Sequence, residues 1–174
     1  MKYFTPKLWK SLNGSSRVSA LKTYNRQLSA YQRQLEVVLP KLAATARTFF
    51  HDICLLHDAT LVRMSVGDCI DASDYDLRNF RVKARTASAK FLVLAASGED
   101  TYSLNYDGVQ RIEVNLPGKL KLFPIGQSTN FGDWGYDELT STENGLFRHE
   151  VLFSSGATIA IDFARFTFQR KNLT

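Results

Sequence analysis

The spacing of the hydrophobic residues changes near residue 56, and this change constrains the fold more than any other feature. Between residues 20 and 38 apolar side chains recur three or four positions apart, which places them on one face of a helix. They are Leu21, Tyr24, Leu28, Tyr31, Leu35 and Val38. After residue 59 apolar and polar residues alternate, as in a half-buried strand. The order of the two patterns predicts an α+β fold, in which about three helices precede a mostly antiparallel β-sheet of roughly six to eight strands.

Local signals place the ends of the predicted helices. Thr5 followed by Pro6 is a favourable N-cap and first-turn pair. Gly14 is expected to end this first helix in the left-handed conformation. Pro40 is expected to end the second helix, because proline removes a helical hydrogen bond. A third helix follows. Its apolar face is expected to consist of Leu42, Ala46, Phe49, Phe50 and Ile53.

The remainder of the chain is expected to form hairpins. Asp107-Gly108, Asn144-Gly145 and Ser155-Gly156 each lie between apolar runs. These dipeptides favour the positive φ angles of tight turns. Each of the three is therefore predicted to connect two antiparallel strands.

The alternation also predicts which side chains face the core. In the first strand Val62, Met64 and Val66 are expected on the buried face. The apolar run 91–96 predicts a central strand that is covered on both faces. Near residues 164–165 the apolar parity changes, so a bulge is predicted there that returns the following aromatic residues to the core.

Length and composition are those of a globular chain. With 174 residues, 44% apolar and 22% charged, we expect a single domain over 1–174, with a helical part at 1–55 and a β-rich part at 56–174. The longest apolar run is far shorter than the roughly 18 residues that cross a bilayer, and no signal-peptide pattern opens the sequence. These features predict a cytoplasmic protein with no membrane contact.

The net charge of +5 is unevenly distributed. Residues 1–50 contain nine Lys or Arg and one acid, whereas residues 51–174 contain thirteen bases and sixteen acids. Such a contrast can steer a charged partner toward one face. In the second helix Lys22, Arg26 and Arg33 are suited to phosphate contacts, so nucleic-acid binding is one candidate function.

Acidic residues form the candidate protein-binding surface. They comprise a predicted loop and a later group: Asp68, Asp71, Asp74 and Asp76, then Asp133, Asp137 and Glu138. The loop does not place oxygen ligands, Gly and Glu at EF-hand spacing, so no calcium site is predicted. We expect these carboxylates to meet cations of a partner and raise its association rate.

Catalytic patterns are few. His51-Asp52 and His57-Asp58 suggest a metal-dependent hydrolase, but the one further histidine, His149, lies in a predicted strand. Asp58 can instead cap backbone donors at the helix-to-strand junction, so His57-Asp58 is open to a structural or a functional interpretation. No nucleophile motif such as GxSxG is present. The sequence predicts no metal, no cofactor and no catalytic residue, and a hydrolase-type enzyme is the third alternative.

Three parts of the sequence resemble a small uncharacterised bacterial family. They are MKYFTPKLW at 1–9, LHDATLVRMSVGD at 56–68, and GYDEL at 135–139 with HEVLFSSGATIAIDF at 149–163. That family opens with MKYFT-x-x-LW, has a helical first part and ends in a sheet. The resemblance therefore implies the same arrangement for this chain. The late hairpin is also similar in style to those of bacterial toxin-immunity proteins, which bind and neutralise a toxin.

Together these observations favour a non-catalytic protein-binding module, immunity-like in type. Its partner is an unidentified protein, and the chain is expected to be a monomer or a homodimer. Nucleic-acid binding through the basic helices is the alternative.

Overall fold

The computed structural model of this chain describes residues 1–14, 17–52, 55–68, 75–76, 81–82, 87–117 and 131–173. Helices come first and strands follow, as the sequence predicts. The helices are α1 (Pro6–Leu12), α2 (Arg17–Val38) and α3 (Ala44–His51), with a 3₁₀ turn at Leu39–Lys41. The strands are β1 (Thr60–Asp68), β2 (Tyr75–Asp76), β3 (Arg81–Val82), β4 (Ala87–Leu94), β5 (Asp100–Val109), β6 (Arg111–Asn115), β7 (Trp134–Ser141), β8 (Phe147–Phe153), β9 (Thr158–Phe163) and β10 (Arg165–Asn172).

The helix boundaries follow the capping signals with one exception. Thr5 Oγ1 accepts a hydrogen bond from Leu8 N at 3.2 Å, and α2 gives way to the 3₁₀ turn just before Pro40. The left-handed conformation expected of Gly14 is wrong, because its φ is not positive. Asn13 instead closes α1 with φ −96° and ψ 3°, and its amide side chain donates to the last turn.

The strands divide between two main antiparallel sheets. One has the order β1-β4-β5-β10 and the other β6-β9-β8-β7, while β2 and β3 pair with each other. The expected sheet of six to eight strands is therefore corrected to two sheets of four. They remain connected, because β5 continues into β6 and β9 into β10 after one residue.

Asp107-Gly108 bends a strand and does not form the predicted hairpin. The chain runs through Gly108 at φ +65°, and Gln110 N donates to Asp162 O at 2.9 Å, so pairing continues across the bend. Ala164 lies opposite, and a Cβ at Gly108 would stand 2.8 Å from its Cβ. The positive φ bends the strand without reversing it because the facing strand bends at the same level.

The other two turn predictions and the parity change are confirmed. Gly145 (φ +78°) lies in the turn between β7 and β8, and Gly156 (φ +87°) lies in that between β8 and β9. Between β9 and β10 the strand is interrupted at Ala164. Phe163 before this point and Phe166 after it are both buried. The interruption thus keeps aromatic side chains on the core side.

The buried face of β1 differs from the prediction. A bulge lies between Leu61 and Arg63 in the pairing with β4. Leu61 is buried and Met64 packs against the core, whereas Val62 and Val66 are each 54% exposed. The extra residue at the bulge puts Leu61 and Met64 on one face and turns Val62 to the other, which strict alternation could not anticipate.

One continuous core joins the helices to both sheets. On α3, Phe49 and Phe50 pack against Phe166 of β10 with ring centroids 5.0 and 4.8 Å apart. The start of β1 meets the start of β7, where Trp134 N donates to Ala59 O at 2.7 Å. Of the helices that the described residues form, none combines the length and apolar character needed to cross a bilayer.

Candidate functional site

The predicted acidic loop is only partly described. Asp71 and Asp74 lie outside the described residues. Asp68 ends β1 and Asp76 belongs to β2, and only their backbone is described. Asp133 is exposed, and its backbone bridges to Thr60. The docking role of this loop therefore stays a prediction.

Asp137 and Glu138 do not belong to an exposed acidic surface, which corrects the expectation for these two residues. Asp137 Oδ1 accepts from Trp134 Nε1 at 3.1 Å, and its Oδ2 lies 3.0 Å from His149 Nε2. Glu138 is fully buried. Both carboxylates are already bonded inside the protein, so neither is available to a partner's cations.

Glu138 binds the first residues of the chain. Its Oε1 accepts from Tyr3 N at 2.7 Å and from Phe4 N at 2.5 Å, and its Oε2 accepts from Lys2 N at 2.7 Å. Burial raises the pKa of Glu138, while the three amide donors oppose that shift. The carboxylate therefore fixes the N-terminal segment on β7.

His149 is the centre of a buried polar network. Its Nδ1 lies 2.8 Å from the Tyr106 hydroxyl and its Nε2 faces Asp137. Burial raises the pKa of Tyr106 well above its usual range. A carboxylate at Asp137 accepts from Nε2, and the neutral imidazole with its hydrogen on Nε2 then accepts the Tyr106 hydroxyl hydrogen at Nδ1. His149 has no exposed surface, and this network holds the fold together.

This network was not predicted from the sequence, although one signal points to it. Asn144-Gly145 sets the register of the β7–β8 hairpin, in which Leu139 pairs with His149. Asp137 therefore lies two positions away on the same face. The neighbouring Glu150 faces the other side and accepts from the Met1 amino group.

His57-Asp58 occupies the junction between the helical and β-rich parts. Asp58 has φ +62°, uncommon for a residue other than glycine. Its backbone N donates to Trp134 O at 2.8 Å, and its carboxylate lies 3.1 Å from His57 Nδ1. Asp58 thus ties the junction to β7 through its backbone. Within the described ranges no three His, Cys, Asp or Glu side chains are grouped to hold a metal ion.

The predicted basic residues form an exposed stripe on α2. We define the α2 stripe as Val18, Lys22, Arg26, Arg33 and Val37, which lie four or seven positions apart. The flanking valines are 77% and 64% exposed. The three cations are exposed and form no ion pair with another described residue. The stripe is a basic surface with an apolar residue at each end, and the exposed acid Glu36 lies one turn from Arg33 without forming an ion pair with it.

A cleft of about 510 Å³ opens where α1, α2 and β7 meet. We call it the aromatic cleft. Its lining consists of Trp9, Leu12, Asn13, Gly14, Arg17, Leu21, Tyr24, His57 and Tyr136. This volume lies in the range of small-ligand pockets. The rings come from three separate elements, and the sequence analysis did not associate them.

Tyr136 is the central ring of the aromatic cleft. Its centroid lies 5.4 Å from that of Trp9, 5.6 Å from that of Tyr24 and 5.7 Å from that of His57. Phe4 stacks on Tyr136 at 5.1 Å. Such contacts fix the ring positions before any ligand arrives.

A second cleft of about 520 Å³ lies beside the β7–β8 turn and is mainly polar. Both of its cations are already paired, while Glu143 in the lining forms no ion pair with another described residue. Arg148 donates to both oxygens of Asp162 at 2.6 and 2.8 Å, and Arg111 pairs with Glu113. For an acidic ligand the aromatic cleft is the stronger candidate, because its cation Arg17 has no such partner among the described residues.

No family model, curated protein or solved structure matches this chain.

Proposed function

We propose that this protein is a non-catalytic protein-binding module that docks an acidic partner on the α2 stripe. The observation that carries the proposal is the exposure, between two exposed valines on one helix face, of three cations that form no ion pair with another described residue. Apolar residues beside charged ones are typical of protein interfaces. An acidic partner gains a faster association rate from the cations and buries the valines on contact.

The opposite side of α2 supports this role, because it is firmly anchored. Tyr31, Leu35 and Val38 are buried. The Tyr31 hydroxyl accepts from Leu139 N on β7 at 2.9 Å. A helix held in this way presents its exposed face without an ordering cost on binding. The uneven charge of the whole chain acts in the same direction, because the excess of bases lies before residue 51 and acids outnumber bases after it.

The immunity-like form of this proposal is the more specific one. An immunity protein works by covering its partner, which needs a rigid docking face and no catalysis. Asp68, Asp71, Asp74 and Asp76 are proposed as a second contact, for cations on the same partner.

Nucleic acid is the second candidate ligand, favoured by the same cations. Lys22, Arg26 and Arg33 span eleven positions of one helix face, which is about 16 Å. Phosphate contacts need only such cations. The exposed valines at both ends favour a protein, because they have no role in a contact with phosphates.

The test compares two charge-reversal variants of the tagged protein. One is Lys22→Glu/Arg26→Glu/Arg33→Glu. The matched control reverses three exposed cations of the sheet, Arg63, Lys90 and Lys171. A protein captured by the wild type should bind the first variant at least about tenfold more weakly and the control unchanged, with affinity falling as salt rises.

Three outcomes would contradict this proposal. Equal binding by both variants removes the α2 stripe from the interface. Loss of labelled DNA or RNA from the α2 variant, with no protein partner affected, replaces the proposal by nucleic-acid binding. Turnover of a captured partner would identify an enzyme.

A further inference from the structure

The aromatic cleft and the α2 stripe lie on adjoining sides of the start of α2. Arg17 and Leu21 line the cleft, and they alternate along the helix with Val18 and Lys22 of the stripe. A partner that covers the first turns of α2 therefore reaches the mouth of the cleft. The cleft is thus placed to receive a side chain from that partner.

The lining of the cleft defines the chemistry of its occupant. Trp9, Tyr24 and Tyr136 supply ring faces and edges. Leu12 and Leu21 add apolar surface at the mouth, where Leu21 is 42% exposed. Aromatic rings pack favourably in offset or edge-to-face arrangements with other rings. An aromatic side chain therefore fits this lining better than an aliphatic one.

The charge of the cleft points to an acidic group beside that ring. Arg17 and His57 line the cleft, and no Asp or Glu does so among the described residues. The carboxylate of Asp58 lies 3.1 Å from His57 Nδ1 and offsets any charge on that ring. Arg17 is therefore the effective cation. A guanidinium forms paired hydrogen bonds with a carboxylate.

We propose that the aromatic cleft binds an aromatic side chain of the partner protein together with an adjacent carboxylate. The ring lies among Trp9, Tyr24 and Tyr136, and the carboxylate pairs with Arg17. This inference rests on the proposed function, since it supplies the anchor of the same interface. Buried aromatic anchors provide most of the binding energy in many interfaces.

The two tryptophans of the chain make a direct test possible. Trp9 lines the cleft, whereas Trp134 is fully buried. Protein labelled with 5-fluorotryptophan gives two ¹⁹F signals, which the Trp9→Phe variant assigns. The peptide Ac-Glu-Trp-Glu-NH₂ at millimolar concentration should shift the Trp9 signal and leave the Trp134 signal unchanged.

Two matched peptides separate the contributions of ring and charge. Ac-Gln-Trp-Gln-NH₂ keeps the ring without the carboxylates, and Ac-Glu-Ala-Glu-NH₂ keeps the carboxylates without the ring. Each should bind roughly tenfold more weakly than the acidic tryptophan peptide. Equal affinity for the two tryptophan peptides would overturn the role of the carboxylate.

Substitutions in the protein identify the site. Arg17→Gln should lower the affinity for Ac-Glu-Trp-Glu-NH₂ to that for the neutral peptide, and Leu21→Glu should abolish binding. Arg47→Gln makes the same charge change at an exposed arginine of α3, outside the cleft and the α2 stripe, and should have no effect. The proposal is wrong if the Trp9 signal does not move, or if Arg17→Gln and Arg47→Gln behave alike.

The outcome also distinguishes this inference from the proposed function. If the cleft binds no peptide but Lys22→Glu/Arg26→Glu/Arg33→Glu still loses the protein partner, only the aromatic anchor is excluded. If the peptides bind in the cleft but that variant keeps its partner, the cleft is confirmed as the binding site of an aromatic side chain. The α2 stripe is then excluded from the interface with the partner.

Discussion

Several acidic side chains of the β-rich part form hydrogen bonds or ion pairs with other parts of the protein. Asp137 orients His149, Glu138 holds the first residues of the chain, and Asp162 pairs with Arg148. Each carboxylate is removed from water at a cost that only close donors can offset. Their roles are therefore structural, and they leave the exposed cations of the α2 stripe without an ion pair to another described residue.

The Tyr106 hydroxyl should contribute measurably to stability. Tyr106→Phe leaves His149 Nδ1 buried without its donor, which should cost about 1–3 kcal/mol of unfolding free energy. Urea unfolding measures this loss. Long-range ¹⁵N–¹H spectra of the wild type should show His149 protonated at Nε2 only, and protonation at Nδ1 alone would contradict the arrangement.

The Asp100–Arg170 pair should make stability depend on pH in the acid range. Arg170 donates to Asp100 Oδ2 at 2.6 Å and lowers the pKa of Asp100. An acid whose pKa is lowered on folding stabilises the protein above its unfolded pKa, and this contribution is lost as the pH falls through the folded pKa. Arg170→Gln should therefore reduce the urea midpoint near pH 6, and the difference from wild type should shrink toward about pH 2.

The control for this prediction is Lys171→Gln, the neighbouring exposed cation on β10. It makes the same charge change without touching Asp100. If both variants lose the same stability at each pH, the ion pair is not the cause.

At the scale of elements, two long strands carry the fold from one sheet to the other. The first contains β5 and β6, the second β9 and β10, and the two remain paired through their bends. Both bends occur at the same level, at Gly108 and Ala164. The two strands approach so closely at this point that there is no room for a Cβ at Gly108 beside that of Ala164.

Gly108→Ala should destabilise the protein more than the same change at Gly98. Both glycines have positive φ, +65° and +75°, but nothing lies within 4 Å of a Cβ at Gly98. The left-handed conformation costs alanine about 1–2 kcal/mol at either position. The contact with Ala164 should add about 1–3 kcal/mol at Gly108 only.

A rescue variant tests the cause. Gly108→Ala combined with Ala164→Gly removes the contact and should unfold at nearly the urea midpoint of Gly98→Ala. Failure of this rescue would show that the Cβ contact is not responsible.

At the scale of the whole molecule, the N-terminal segment joins the helical part to the β-rich part. Glu138 on β7 accepts three amides of residues 2–4, and Phe4 then packs on Tyr24 and Tyr136. These rings also form the aromatic cleft. The N-terminal segment therefore stabilises the fold and also shapes the aromatic cleft.

Glu138→Ala should release the N-terminal segment from β7. The buried amides of Tyr3 and Phe4 and the partly buried amide of Lys2 lose their acceptor, at about 1–3 kcal/mol for each buried donor before relaxation, so the loss should be about 3 kcal/mol or more. Glu138→Gln keeps one oxygen for Tyr3 and Phe4 and should lose less. Hydrogen exchange of amides 2–4 should accelerate in the alanine variant, and unchanged protection would contradict the role of Glu138.

The order of the elements and several of their ends follow from local sequence signals. The change of hydrophobic period separates helices from strands, Thr5-Pro6 starts α1, and Asn144-Gly145 sets the β7–β8 turn. These features depend on residues close in sequence, whose backbone preferences act whatever the rest of the chain does.

Only the tertiary structure decided the features that depend on distant partners. Gly108 bends a strand because a second bent strand lies beside it. Glu138 is buried because a segment more than 130 residues away covers it. The aromatic cleft brings together Trp9, Tyr24 and Tyr136 from three elements. Burial and charge pairing at these positions are set by packing between elements, because the free energy of a buried polar group depends on which donors the fold places beside it.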